Sequence, residues 1–292
     1  MKKSIRYRLE YVLLFLLCWF FRLMPWKMAS NIGGFIGRSV GPRLAASRKA
    51  MRHIRAALPH KTEAEAAQIV IGMWDNLGRV MAEYPHLERI AKTIHQTIEG
   101  KHAEKLAAMH TRQTPIMFLS AHIGNWELAP AFLLCHGITA HSIYRRPNNP
   151  YTAKLLEDYR SFGGRISLFP KSKRGSILVV KALQANENIA MLIDQKYNEG
   201  IDSLFFGMTA RTSTMFIDLA RRYDCPVIPG RIIRKNGTDF DIELCDPIPL
   251  NDVQGNERTH EDIVADYHRL LEGWIEQHPE QWLWLHRRWR DL

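Results

Sequence analysis

Four cysteines in 292 residues, Cys18, Cys135, Cys225 and Cys245, share no Cys-x-x-Cys spacing. That argues against a disulfide framework and a thiolate zinc site. Free thiols buried in apolar runs of a reducing compartment remain. The thirteen histidines are scattered and form no zinc pattern. No glycine spacing fits a P-loop, which argues against nucleotide hydrolysis. There is no internal repeat and no low-complexity linker. Acidic residues are outnumbered, 30 Asp and Glu against 40 Lys and Arg, giving a net charge of +10 and a pI near 9.5. Such a deficit points to an acidic partner: nucleic acid, anionic lipid or an acidic carrier protein. A long hydrophobic run is also missing. A bilayer span takes about 20 apolar residues, and the uncharged run Tyr11–Phe21 is roughly half that.

What is present begins at that run. Lys2, Lys3, Arg6 and Arg8 precede it, Trp19 lies inside it, and Arg22 interrupts it before Leu23-Met24-Pro25-Trp26. Tyr, Trp and Arg at its ends extend an apolar segment by snorkelling. No small-residue cleavage site follows, which counts against a signal peptide. The expectation is an uncleaved anchor over residues 1–26, tilted through the bilayer or lying in its cytoplasmic face. Arg38, Arg43, Arg48, Lys49, Arg52 and Arg55 give the downstream flank a stronger positive bias. That bias places the body of the chain, residues 27–292, on the cytoplasmic side.

An apolar share of 46% is ample for a core, and the length suits one large domain. Gly33, Gly34, Gly37 and Gly41 permit close packing after the anchor. Arg43–Leu58 reads as a basic helix ended by Pro59. Thr62, with Glu65 three residues on, forms a capping box. The helix that follows carries Ile69, Val70, Met73, Trp74, Leu77, Val80 and Met81 in one stripe. Residues 94–98 suggest a short strand and 102–110 a helix. From Pro115 the pattern alternates. Strands are expected at 115–119, 139–144, 166–169, 188–193, 227–233 and 240–244, and helices at 126–135, 151–162, 176–184, 212–223 and 260–277. Alternation of this kind means an α/β fold, a mostly parallel central sheet covered by helices, here with an N-terminal membrane-anchoring helix.

The chemistry gathers around Leu119-Ser120-Ala121-His122-Ile123-Gly124-Asn125-Trp126-Glu127. His122 stands where a strand ends and a helix begins, the edge of an α/β sheet at which ligands collect. Glu127 falls in the first turn of the helix, from which its carboxylate can fold back toward the imidazole. A His held by a carboxylate is a general base. No Ser or Cys stands nearby in a nucleophile-elbow context, so the base acts on a hydroxyl brought by a substrate. The plainer reading is a His ending a strand and a Glu offsetting the helix dipole.

Other strand ends are polar as well. Tyr144-Arg145-Arg146-Pro147-Asn148-Asn149-Pro150 pairs two guanidiniums, which match phosphate bidentately. Lys171, Lys173 and Arg174 precede Gly175-Ser176 at a helix start, joining cations to free amides in a manner suited to phosphate. Asp194-Gln195 ends another strand. Phe205-Phe206-Gly207 suits an acyl-chain wall, a membrane contact or a core contact. Trp282, Trp284 and Trp289 among basic residues suit a membrane interface, single-stranded nucleic acid or plain packing.

His-x-x-x-x-Glu after an apolar strand, with Gly-Asn-Trp between, resembles the acyltransferase signature of the lysophospholipid acyltransferase superfamily. The run from His122 to Glu127 is similar to the bacterial late lipid A biosynthesis branch, the lauroyl and myristoyl transferases. The Tyr144 to Asn149 turn, the strand ending in Asp194-Gln195, Phe205-Phe206-Gly207 and the block Gln281 to Trp289 resemble that family in the same order. The resemblance implies acyl transfer from an acyl carrier protein thioester to a hydroxyl of a phosphorylated glycolipid, the Kdo-bearing lipid A precursor. It implies the bacterial inner membrane, with the catalytic domain on the cytoplasmic face. His122 would be the base and Glu127 its support. Arg145, Arg146 or a backbone amide near Gly124-Asn125 would stabilise the oxyanion. Asn125, Lys171, Lys173, Arg174, Asp194 and Gln195 are the further substrate-binding candidates. No metal, cofactor or nucleic acid enters this scheme. Two other readings are acylation of another lipid (a lysophospholipid or a mannosylated phosphoinositide) and a basic membrane-attached binding protein without catalysis. The last gives no reason for His122 and Glu127 at a strand-to-helix junction.

Overall fold

The computed structural model describes residues 3–96, 101–290 and 292. The chain opens with helices α1 (Lys3–Arg22), α2 (Trp26–Val40), α3 (Ala45–Ala57), α4 (Glu63–Glu83), α5 (Leu87–His95) and α6 (Lys101–His110). The sheet follows: β1 (Met117–Ser120), α7 (Leu128–Cys135), β2 (Ala140–Tyr144), α8 (Pro150–Arg160), β3 (Leu168–Pro170), α9 (Lys173–Gln184) and β4 (Asn188–Leu192). A hairpin of β5 (Ile201–Phe205) and β6 (Met208–Thr212) leads to α10 (Met215–Arg222), β7 (Val227–Arg234), β8 (Phe240–Leu244) and α11 (His260–Gln277).

Six strands form one sheet in the order β3-β2-β4-β1-β7-β8. All neighbours run parallel except β7 and β8. Parallel strands need cover on both faces, and β1 shows how it is met. Met117 and Leu119 enter a core shared with α3, α4, α9, α10 and α11. Phe118, pointing the other way, enters a core shared with α5, α6 and α7. The expected α/β fold with a mostly parallel sheet is therefore present.

Local signals hold at the helix ends. Thr62 and Glu65 form the capping box at α4. The small residues of α2 let it lie directly on α4: a Cβ on Gly33 would stand 2.4 Å from the Gly78 carbonyl oxygen.

Two expectations are corrected and two open readings are decided. Ile94 belongs to α5, where Leu87, Ile90, Ala91 and Ile94 are buried at helical spacing, while residues 97 and 98 lie outside the described residues. Thr212 closes β6 instead of opening the helix expected at 212–223, and α10 starts at Met215. Of the readings open for the C-terminal tryptophans, packing is the one observed: Trp282, Trp284 and Trp289 are 2%, 0% and 1% exposed. Phe205 is likewise buried, stacked on Trp289 with centroids 5.6 Å apart, so it forms no open acyl-chain wall.

Among the described residues no helix is long and apolar enough to cross a membrane. α1 has 20 residues but carries Lys3, Arg6, Arg8, Glu10 and Arg22, so the spanning form of the anchor is not supported. One side of α1 packs on the body. Asn149 donates to the Tyr7 carbonyl (2.8 Å) and to Glu10 (3.0 Å), and His86 Nε2 donates to the Phe21 carbonyl (2.9 Å). The other side exposes Leu9, Leu13, Leu16, Leu17 and Phe20, and α2 exposes Met28, Phe35, Ile36 and Val40.

Candidate active site

Between β1 and α7 runs the loop that carries His122 and Glu127. A buried polar network clamps it. Gly124 has φ +59°, and a Cβ there would stand 1.9 Å from the Ile232 carbonyl oxygen, so glycine is required. Its N–H donates to the Gln281 carbonyl (3.0 Å), and the Asn125 N–H donates to the Ile232 carbonyl (3.0 Å). Asn76 donates to the Gly124 carbonyl (2.9 Å). Asn125 donates through its side chain to Glu83 (2.6 Å), which is gripped bidentately by Arg234 (2.7 and 2.6 Å). Asn125 is thus a fully buried brace and not a substrate contact. The two amides expected to serve an oxyanion are already engaged.

Sheet register decides what meets His122. Parallel pairing of β1 with β4 sets Ser120 against Leu192. Two residues beyond each strand end, His122 and Asp194 stand side by side. His122 Nδ1 donates to Asp194 Oδ1 (2.8 Å). Asp194 Oδ2 accepts from the His122 backbone N–H (2.9 Å) and from the Trp282 indole N–H (2.9 Å). Burial opposes the charge of Asp194, but the His122 ring and these hydrogen bonds overcome it and push the carboxyl down to about 2. An ionised Asp194 favours the imidazole proton on Nδ1, which leaves the lone pair on Nε2.

The next residue faces that lone pair. The Gln195 amide nitrogen lies 3.0 Å from His122 Nε2 and 2.8 Å from His286 Nε2. Burial, then the fields of His122, Lys49 and Arg145, push His286 down to about 4 despite Asp194, so it is neutral near pH 7. Sequence reasoning gave His286 no role; its only signal was its place in the C-terminal block.

The expected His122–Glu127 hydrogen bond is not formed. Glu127 turns to the far side of Trp126, whose ring lies 5.2 Å from the imidazole and whose indole N–H donates to Glu127 Oε1 (3.0 Å). Arg160, at the end of α8, holds both oxygens: Nε to Oε2 at 2.7 Å and Nη2 to Oε1 at 2.5 Å. The Tyr84 hydroxyl adds a third donor (2.6 Å). Burial works against the Glu127 charge, but the guanidinium and these donors win, and its carboxyl is held below the usual range. A carboxylate prefers a permanently charged, fork-shaped guanidinium to a neutral imidazole.

The expected cations separate into two sets. Arg146 pairs with Glu157 (3.0 Å), and Lys173 and Arg174 are exposed on the first turn of α9. Lys171 and Arg145 are exposed as well, but Lys171 sits with its Nζ 4.4 Å from the Tyr197 ring centroid, and partial desolvation followed by the Arg145 charge lowers its pKa. Arg145 also acts on His286. Of the expected cations, Arg145 is the one whose charge is felt at both Lys171 and His286.

The family model for bacterial lipid A biosynthesis acyltransferases matches residues 1–291. The chain belongs to that family. It is 24% identical over 284 residues to the lipid A biosynthesis palmitoleoyltransferase of Escherichia coli (strain K12), covering 93% of this chain and 88% of that protein. The lipid A biosynthesis acyltransferase of Shigella flexneri aligns with the same identity and coverage.

Proposed function

We propose that this acyltransferase moves a fatty acyl group from an acyl carrier protein thioester to a hydroxyl of the Kdo-bearing lipid A precursor, with His122 as general base. The observation that carries the reading is the pairing of His122 Nδ1 with a buried, ionised Asp194, which leaves Nε2 basic. The acceptor hydroxyl gives its proton to Nε2 as its oxygen attacks the thioester carbonyl. When the C–S bond breaks, the same proton passes to the departing thiolate. Base assistance of this kind is typically worth about 10² to 10⁴ in rate.

Asp194 orients the base. Glu127, with Arg160 and Tyr84, is a positioning residue that holds Trp126 against the imidazole. Arg145 and Lys171 bind phosphate on the acceptor or the carrier, in keeping with a chain charge of +10. The exposed apolar stripes of α1 and α2, flanked by Arg22, Lys27, Arg38 and Arg43, support attachment in the plane of the cytoplasmic face of the inner membrane.

The test is acyl transfer from lauroyl, myristoyl and palmitoleoyl thioesters of acyl carrier protein to the purified precursor, read by mass spectrometry. Lauroyl or myristoyl transfer is expected, and His122→Ala abolishes it with unchanged thermal unfolding. Near-normal transfer by folded His122→Ala protein overturns the mechanism.

A further inference from the structure

We propose that Gln195 and His286 gate the base: at rest the Gln195 amide caps His122 Nε2, and in the reaction the same amide, retained by His286, donates to the oxyanion. This rests on the assignment of His122 as the base.

A primary amide nitrogen carries two hydrogens. That of Gln195 has two acceptors in reach, His122 Nε2 at 3.0 Å and His286 Nε2 at 2.8 Å. With Nε2 of each ring as the acceptor, both amide hydrogens are used. The His122 proton lies on Nδ1 toward Asp194, and His286 is kept neutral by its surroundings. Consecutive residues thus grip one ring with opposite polarity: Asp194 accepts from Nδ1 and Gln195 donates to Nε2. The tautomer is specified from both sides.

A donor on Nε2 also occupies the lone pair that the reaction uses, so an incoming hydroxyl must displace it. His286 cannot follow the displaced amide, because its segment is strapped down. The Leu283 N–H donates to the His122 carbonyl (2.9 Å), and Lys49 Nζ donates to the Leu285 carbonyl (3.2 Å). One amide hydrogen stays on His286 and the other is released close to the reacting atoms. The oxyanion forms on the carbon that the acceptor oxygen attacks. A donor within reach of Nε2 before the reaction is therefore within reach of that oxyanion during it. The amides of Gly124 and Asn125 are engaged elsewhere and do not compete for this role.

The step balances. The acceptor oxygen forms the C–O bond while its proton moves to His122 Nε2. The carbonyl π pair becomes the oxyanion held by Gln195. Its return breaks the C–S bond, and the thiolate takes the proton from Nε2.

The experiment compares full-length variants with a lauroyl thioester of acyl carrier protein and the Kdo-bearing precursor as probes. Thermal unfolding and imidazole nitrogen NMR of the substrate-free protein are recorded in parallel. Gln195→Ala lowers kcat by about 10² to 10³, as loss of an oxyanion donor does, and moves the resting His122 Nε2 resonance. KM stays within about twofold, because the contact is made in the transition state. Gln195→Met, which keeps the volume, gives the same result where Ala loosens the fold. His286→Ala lowers kcat by about tenfold, the worth of one neutral hydrogen bond, and moves the same resonance. His286→Gln, whose carbonyl oxygen accepts the same hydrogen, restores both. Normal turnover or an unmoved resonance in Gln195→Ala overturns the proposal, as does failure of His286→Gln to restore what His286→Ala loses. An inactive His122→Ala beside a fully active Gln195→Ala sinks this proposal alone. An active His122→Ala sinks the base assignment with it.

Discussion

Glu127 and Asp194 are both buried acids, 8% and 2% exposed, and each accepts an indole N–H, from Trp126 and Trp282 respectively. Both are held ionised against burial. They differ in the cationic partner. Glu127 faces Arg160, a guanidinium that keeps its protons under all working conditions. Its cluster can only hold geometry. Asp194 faces an imidazole, whose second ring nitrogen can take up and hand on a proton. Its charge can bias a proton transfer. Burial and ionisation alone do not separate the two acids; the chemistry of the partner does.

The contrast is broken most severely at Asp194. In Asp194→Asn the side-chain oxygen can still accept from the His122 and Trp282 N–H groups, but the amide nitrogen then faces Nδ1. The imidazole is driven to the Nε2–H tautomer and loses its base, so kcat falls by about 10⁴. Kinetics together with imidazole nitrogen NMR check this. An unchanged tautomer with low activity would count against the orienting role.

Next comes Glu127→Gln, which leaves the partly buried Arg160 without its counter-charge and costs about 3 kcal/mol of unfolding free energy. The paired replacement Glu127→Leu with Arg160→Met recovers most of that loss in denaturant melts. If Glu127→Gln melts like the parent, the distinction between the two acids collapses.

Acid titration sharpens the comparison further. His286 is pushed down to about 4, and His268 down to about 3 by burial and then Arg288. An unfolded histidine titrates near 6.5, so the unfolded state binds more protons below that value and stability falls as pH drops from about 6.5 toward 4. His286→Gln flattens that limb by at most about 3 kcal/mol. Asp194, depressed to about 2, contributes stability above the ordinary carboxylate value near 3.9, lost only as pH falls from there toward 2. Melts between pH 7 and pH 2 separate the two windows.

The smallest effect is expected at the rim. Arg145→Ala with Lys171→Ala raises KM for the phosphorylated acceptor by about tenfold with little change in kcat, since positioning charges act through uniform binding. The same change at Lys173 and Arg174, on the first turn of α9, leaves KM near the parent value. Equal effects from the two pairs would contradict the separation of the cations.

Periodicity and capping act over a few residues, and what they control was legible in the chain. The apolar run before His122 became β1, the Thr62–Glu65 box starts α4, and the amphipathic stripe of α11 runs over His260–Gln277 as its spacing predicts. The hairpin β5–β6 was not legible. Asp202, Ser203, Thr209 and Arg211 break its apolar pattern, and each of its strands is completed only by the other. Nor was the partner of His122. Glu127 is five residues away in sequence, yet it goes to Arg160, 33 residues further along, while Asp194 comes from 72 residues away. The sequence alone determined that His122 and Asp194 each stand just past the end of a parallel strand. Strand order, with β4 laid beside β1, decided that they meet. Hydrogen-bond register in a parallel sheet aligns strand ends across any distance in sequence, whereas a neighbour along the chain stays a partner only where nothing better charged is folded against it.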